Sequence, residues 1–223
     1  MPSTIHIVRH AESAHNVSKD FSHRDPPLTS LGVTQSATLS QKVPNLSNIA
    51  VIITSPLRRA IQTTLSGFGT ILDERYYSSE SGKGVANGAK LLLDPELQER
   101  SAEQCDTGSS AAELEAEFPG LDFSDLGQVW PAKTGGFAAD DAAVSARAGR
   151  VRGSLRKVLE GIEDDGGEGG EVVVVTHGVF MKFLTGDQEI DLPKAGFRSF
   201  ELQAKEDGTN ELVLKANGNS LRG

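Results

Sequence analysis

Apolar positions along the chain fall into two patterns. Short β-branched runs bounded by turn residues occupy residues 4–8 (TIHIV), 50–54 (AVIIT), 171–176 (EVVVVT), 198–204 (RSFELQA) and 211–216 (ELVLKA), with a weaker run at 90–93 (KLLL). Such runs predict strands. Between them, apolar residues recur every three or four positions over 30–42, behind a Thr29 cap, and over 56–68, 110–118 and 140–163. That spacing predicts helices, and a further apolar helix is expected after Gly178. Strands alternating with helices predict a layered α/β fold. The last two strands, joined across 205–210, read as a hairpin, so the sheet is expected to be mixed. Residues 76–89 and 103–136 are too long for simple connectors and are expected to act as lids. The stretch DDGGEGGE at 164–171 lacks a partnered lysine and P-loop spacing and reads as a flexible turn. There is no repeat or linker, and residues 1–223 are taken as one domain.

Composition narrows the chemistry. Of 223 residues, 31 are acidic and 22 are Lys or Arg, giving a formal net charge of −9. That balance disfavours non-specific binding to nucleic acid or to an anionic membrane, so a bound anion needs a local basic pocket. Cys105 is the only cysteine, which rules out an intrachain disulfide and suits a reducing, cytoplasmic setting. Residues 1–3 lead straight into the first strand without a cationic, apolar leader, and no apolar segment approaches the ~20 residues of a membrane-spanning helix.

Three predicted strands end on chemically active groups. The first closes on Arg9 and His10, within IHIVRHAESAHN. The second ends at Ser55-Pro56 and runs on to Arg58 and Arg59, and the strand ending at Thr176 presents His177 and Gly178. If these strands are parallel neighbours, Arg9, His10, one arginine of the 58/59 pair and His177 converge at the carboxyl edge of one sheet. Guanidinium forks match phosphate oxygens in pairs, and a neutral imidazole can accept a phosphoryl group covalently. A leaving alkoxide needs a proton. Glu96, Glu99 and Glu103 follow the weak strand, and spacing alone does not choose among them.

VRHAESAHN, SPLRRAIQT, LQE and VTHG, in that order, resemble the motifs of the histidine phosphatase superfamily, the phosphoglycerate mutase-like proteins, across essentially the whole chain. The resemblance implies a three-layer α/β/α sandwich with a mixed, mostly parallel central sheet. It implies that His10 is the phosphorylated nucleophile, that Arg9, Arg59 and His177 form the phosphate pocket, and that Glu99 is the proton donor. Asn16 occupies the family's pocket-side asparagine position, and Gly178 joins the substrate-binding set. Two positions depart from the usual pattern: Ala11 stands where glycine follows the nucleophile, and His15 stands where the mutases carry an aromatic residue. LQERSAEQCDTGSS is closer to fungal phosphatase-like members than to glycolytic mutases, which favours a metal-independent phosphatase acting on a small phosphorylated metabolite. A phosphomutase and a non-catalytic phosphate-binding regulator are the alternatives. No cofactor or partner chain is implied, and the sequence does not fix the oligomeric state.

Rival readings are weaker. His6 alternates with Ile5 and Ile7 and is expected to be a hydrogen-bonded core imidazole. His15 and His23 are expected at the pocket rim or in solvent, and Arg58 at the surface. A metal would sit beside two arginines, and the short ligand spacings of a zinc site are missing. Asp106-Thr107-Gly108 matches an aspartic-protease signature, but one copy supplies only half of the required carboxylate pair. Cys105 is expected to be a packed thiol, and residues 118–130 either wall the substrate or pack within a lid.

Overall fold

The computed structural model describes residues 4–127, 129–164 and 170–215. Six strands, β1 (Thr4–Arg9), β2 (Ile49–Thr54), β3 (Lys90–Leu93), β4 (Glu171–Thr176), β5 (Phe197–Ala204) and β6 (Asn210–Leu214), form one sheet in the order β3-β2-β4-β1-β5-β6. The first four run parallel; β5 reverses against β1 and β6 against β5. The helices are α1 (Ala14–Ser18), α2 (Ser30–Ala37), α3 (Leu39–Lys42), α4 (Arg58–Gly67), α5 (Ala111–Glu117), α6 (Asp141–Asp164) and α7 (Phe180–Thr185). None of the described helices is long and apolar enough to cross a membrane.

Side-chain alternation along the strands divides the apolar residues between two faces. Ile5, Ile7, Val51, Ile53, Val172 and Val174 pack with Val144, Val151 and Leu155 of α6 and Phe180, Met181 and Leu184 of α7. Val8, Ile52, Val173 and Val175 pack on the other side with Leu39 of α3, Ile61 of α4 and Leu114 of α5. The result is a three-layer α/β/α sandwich. All six residues of β4 are buried, as befits a strand covered on both faces.

Several elements differ from the sequence expectation. The helix over 30–42 breaks at Thr38, whose N–H and hydroxyl both turn back to the Gln35 carbonyl (3.2 and 2.8 Å). α4 starts two residues late because Leu57 is extended and donates its N–H to the Ser55 hydroxyl (3.3 Å). α1 was not anticipated; it is five residues long, and the Asn16 side chain takes the Ser13 N–H (3.1 Å) at its start. β6 begins at Asn210, one residue earlier than expected, and the hairpin turns through Gly208 at φ 80°. Ala216 and most of the 164–171 turn lie outside the described residues.

Polar groups also sit inside the sheet. Nε2 of His6 lies 2.6 Å from Glu171 Oε2 and Nδ1 lies 2.9 Å from the Ser199 hydroxyl, while Asn45 donates to Glu171 Oε1 (3.0 Å). This is the hydrogen-bonded core imidazole expected at that position.

Behind the first strand, the chain is closely packed. A β-carbon on Gly32 would stand 2.0 Å from the Glu12 carbonyl oxygen, so α2 rests directly on the segment that follows His10. Gly32→Ala is expected to cost ~1–3 kcal/mol through overpacking, seen as a lower midpoint in thermal or urea unfolding; an unchanged midpoint would show that the segment yields freely.

Candidate active site

The register of the parallel strands assembles the site. Arg9 pairs with Thr176, and Thr54 pairs with Val175, so His10, Ser55 and His177 each follow the end of one of three adjacent strands. The His10 N–H donates to the Thr176 carbonyl (3.0 Å), and the Ser55 N–H to that of Val175 (3.0 Å). The two imidazole rings are 5.1 Å apart. A cavity of about 570 Å³ opens over this edge, lined by Arg9, His10, Asn16, Arg59, Glu99 and Gly178 among others.

His10 is buried, and its Nδ1 lies 2.7 Å from the Ala11 carbonyl oxygen. A carbonyl only accepts, so Nδ1 carries the hydrogen and Nε2 keeps its lone pair. Burial holds the His10 pKa well below the ordinary value, reinforced by the Arg59 and Lys194 charges. His177 is fully buried with Nε2 2.8 Å from the Ser55 hydroxyl, and its Nδ1 has no partner. Its pKa is lowered first by burial and then by Arg59.

The arginines are held from the rear. Arg9 donates to Asp191 (2.7 Å) and to the Leu192 carbonyl. A β-carbon on Gly178 would approach Arg9 Nη2 to 2.8 Å, so glycine at 178 leaves the room in which that guanidinium lies. Arg59, in the first turn of α4, donates to the Cys105 carbonyl (2.7 Å) and to Asp106 (2.8 Å), whose second oxygen takes the Ser101 hydroxyl (2.6 Å). Each guanidinium retains donors not used in these bonds.

Glu99 follows β3 through the short turn Pro95–Leu97. Its Oε1 accepts the N–H groups of Arg100 and Phe180 (both 2.8 Å) and its Oε2 that of Val179 (3.0 Å), which anchors the carboxylate at the start of α7. Lys133 donates to the Glu99 carbonyl (2.7 Å), and burial brings the lysine pKa down to about 7. The Asn16 side chain joins His15 Nε2 (2.9 Å) to the cavity wall, and His15 has its pKa lowered to about 4, chiefly by burial.

Six of the seven residues singled out from the sequence therefore line one cavity, and the seventh, His177, lies buried outside its wall with its ring 5.1 Å from that of His10. His23 is exposed and lines none of it, and Arg58 bonds Glu117 (2.6 Å). Cys105 is a buried thiol with its pKa pushed up to about 12. No residue of 76–89 lines the cavity, whereas Glu103, Cys105 and Asp106 do. Trp130 and Phe123 line a separate cavity of about 520 Å³. Lys194, Asp106, Arg100 and Phe21 also line it; no sequence signal marks Lys194 or Phe21 as site residues, and the Asp-Thr-Gly signature at Asp106 points to a different chemistry.

A parallel-edge α/β fold that brings two arginines and a neutral, buried imidazole to one cavity wall defines a class of protein suited to hold an oxyanion. The chain belongs to the histidine phosphatase superfamily (branch 1), whose family model matches residues 5–69 and 80–223. A Schizosaccharomyces pombe protein named "Probable phosphatase" is 29% identical over 200 residues, covering 86% of this chain and 80% of that one. A phosphoglycerate mutase-like protein of Arabidopsis thaliana is 30% identical over 145 residues, 54% of each chain. Among solved structures, a mycobacterial glucosyl-3-phosphoglycerate phosphatase matches with a TM-score of 0.56 at 20% identity, covering 95% of this chain and 98% of that one; this likeness supports the fold.

His6, His10, His15 and His177 all have lowered pKa values. The folded protein thus keeps them neutral while the unfolded chain protonates near the ordinary value of 6.5. Stability is full above that pH and falls as pH drops below it, by ~1.4 kcal/mol per pH unit for each group that stays neutral; for His15 the loss runs down to about 4. Urea midpoints in phosphate-free buffer should fall steeply between about pH 7 and pH 5, and a flat profile would contradict the neutral imidazoles.

Proposed function

We propose that the chain is a metal-independent phosphoric monoester hydrolase of the histidine acid phosphatase type, acting through a phosphohistidine. The observation that carries this reading is the fixed tautomer of His10, which presents an Nε2 lone pair in a cavity walled by Arg9 and Arg59. In the first step Nε2 attacks phosphorus, the P–O bond to the leaving group breaks, and Glu99 delivers a proton to the departing oxygen. Arg9, Arg59, Asn16 and His177, with the close approach allowed by Gly178, hold the phosphoryl oxygens and offset their charge. In the second step Glu99 takes a proton from water, the water oxygen bonds to phosphorus, and the P–N bond breaks to release inorganic phosphate and neutral His10.

A cavity of about 570 Å³ suits a small phosphorylated metabolite. Residues 103–136 serve as the lid on this reading, through Glu103, Cys105 and Asp106. The fungal relative that covers most of the chain bears a phosphatase name, which supports hydrolysis over transfer between hydroxyls.

Rapid quenching with ³²P-labelled substrate should trap a base-stable, acid-labile phosphoenzyme in the wild type and none in His10→Ala, whose turnover should vanish. Label retained in that variant would remove His10 from the nucleophile's place. Glu99→Gln is expected to lower kcat ~10²–10⁴-fold. With p-nitrophenyl phosphate, whose leaving group needs no proton, phosphorylation should survive in this variant and phosphoenzyme should accumulate. Chelation with EDTA should leave kcat unchanged. Formation of an isomeric phosphate ester without inorganic phosphate would instead identify a mutase.

A further inference from the structure

Lys194 lies on the turn before β5 and lines the same cavity as Arg9, His10 and Arg59. That turn is fastened to the nucleophile's own strand. The Arg9 N–H donates to the Gly196 carbonyl (2.9 Å), the Gly196 N–H to that of Pro193 (2.8 Å), and the Ala195 N–H to that of His10 (3.4 Å). Ala195 takes φ 52°, in the left-handed region that a β-carbon disfavours. The backbone is therefore held in an uncommon conformation next to a cation that faces the site.

The other cations on the cavity wall are already matched. Arg9 pairs with Asp191, Arg59 with Asp106, and Arg100 with Asp141. Lys194 has neither an ion pair nor a hydrogen bond among the described residues, although Glu99 attracts it from across the cavity. Burial, with Arg9 and Arg59 nearby, lowers its pKa to about 8. A half-buried ammonium without a partner leaves a positive charge on the cavity wall that an anion can complete. The cavity's acids are not free to do so. Asp106 is held by Arg59 and Ser101, Glu99 is held by three backbone amides, and Glu103 stands exposed at the rim. One phosphoryl dianion is already served by two guanidinium groups, so the lysine is in excess of what a simple monoester requires.

We propose that Lys194 is a specificity-determining residue that reads a second anionic group of the substrate, a carboxylate or a further phosphate joined to the reacting phosphoryl by a short carbon chain. The inference builds on the hydrolase reading above and adds the substrate class. It makes the preferred substrate a small dianchored acid rather than a neutral alcohol's monophosphate.

Three compounds with similar carbon chains separate the possibilities: glycerol 3-phosphate, 3-phosphoglycerate and propane-1,3-diol bisphosphate. Relative to its effect on glycerol 3-phosphate, Lys194→Met should lower kcat/KM for the two doubly anionic compounds by about ten- to a hundredfold, mainly through KM. Lys194→Arg should recover most of the loss. The two anionic arms show whether a carboxylate or a phosphate is preferred. Equal losses on all three compounds would place the lysine on the transferred phosphoryl instead, and no loss would remove it from recognition; either result overturns the proposal. Calorimetric binding of the same compounds to His10→Ala, with and without Lys194→Met, reads the contrast without turnover. An inactive wild type would thus sink the hydrolase reading while the Lys194 contrast is still decided, and failure of both doubly anionic compounds to bind would overturn the lysine's role.

Discussion

The alignment of β1 with β4 is the constraint on which the rest of this molecule depends. Arg9 opposite Thr176 fixes His10 beside His177, and β2 in register with β4 adds Ser55 behind the second ring. Residues more than a hundred and sixty positions apart become neighbours through backbone hydrogen bonds alone. Side chains then decide only what those neighbours are. Because β strands expose their carboxyl ends where helices begin, unpaired amides, a sharp turn and an open edge occur together, and each of the three strand ends contributes one part of the cavity.

Charge in the cavity is balanced from behind. Arg9 and Arg59 each lean on a carboxylate, while His10, His15 and His177 are kept neutral by burial next to those arginines. A neutral ring keeps a nitrogen lone pair, and the guanidinium groups beside it supply positive charge. The charge of the enclosure and the neutral state of its imidazoles therefore arise from one arrangement. Gly32 lets the Glu12 backbone come closer than any side chain would allow, and Gly178 leaves room for the Arg9 guanidinium.

Strands β1, β2 and β4 could be read from sequence because β-branched runs such as VVVVT have few other homes, and the groups at their tips followed directly. Arg9, His10 and His177 sit at the ends of those strands, so their meeting was foreseeable, whereas Arg59 over Arg58 and Glu99 over Glu96 and Glu103 were singled out by the family motifs alone. Other features depended on the path of turns. α1 spans a single turn of mostly polar residues, too short for a periodic signal, and the break at Thr38 arises from a local bond to Gln35 that apolar spacing does not encode. Asp106 was part of a misleading Asp-Thr-Gly signature, yet it supports Arg59. Lys194 reaches the cavity through a positive φ at an alanine, a conformation that residue type argues against.

The His6 and Glu171 contact lies at the far end of the same two strands, away from the chemistry. The interiors of the middle strands are mostly aliphatic, so sliding one strand past another would still bury oil against oil over most of their length. This polar clasp closes at one alignment, and a displacement of β1 against β4 parts the acid from the imidazole, leaving each with only its second partner, Asn45 or Ser199. It works as a dowel pin: its business is indexing rather than strength. Replacing both groups with leucine would therefore threaten the alignment of the reactive tips sooner than it threatened the melting point, so the rear of the sheet serves as the gauge for its front.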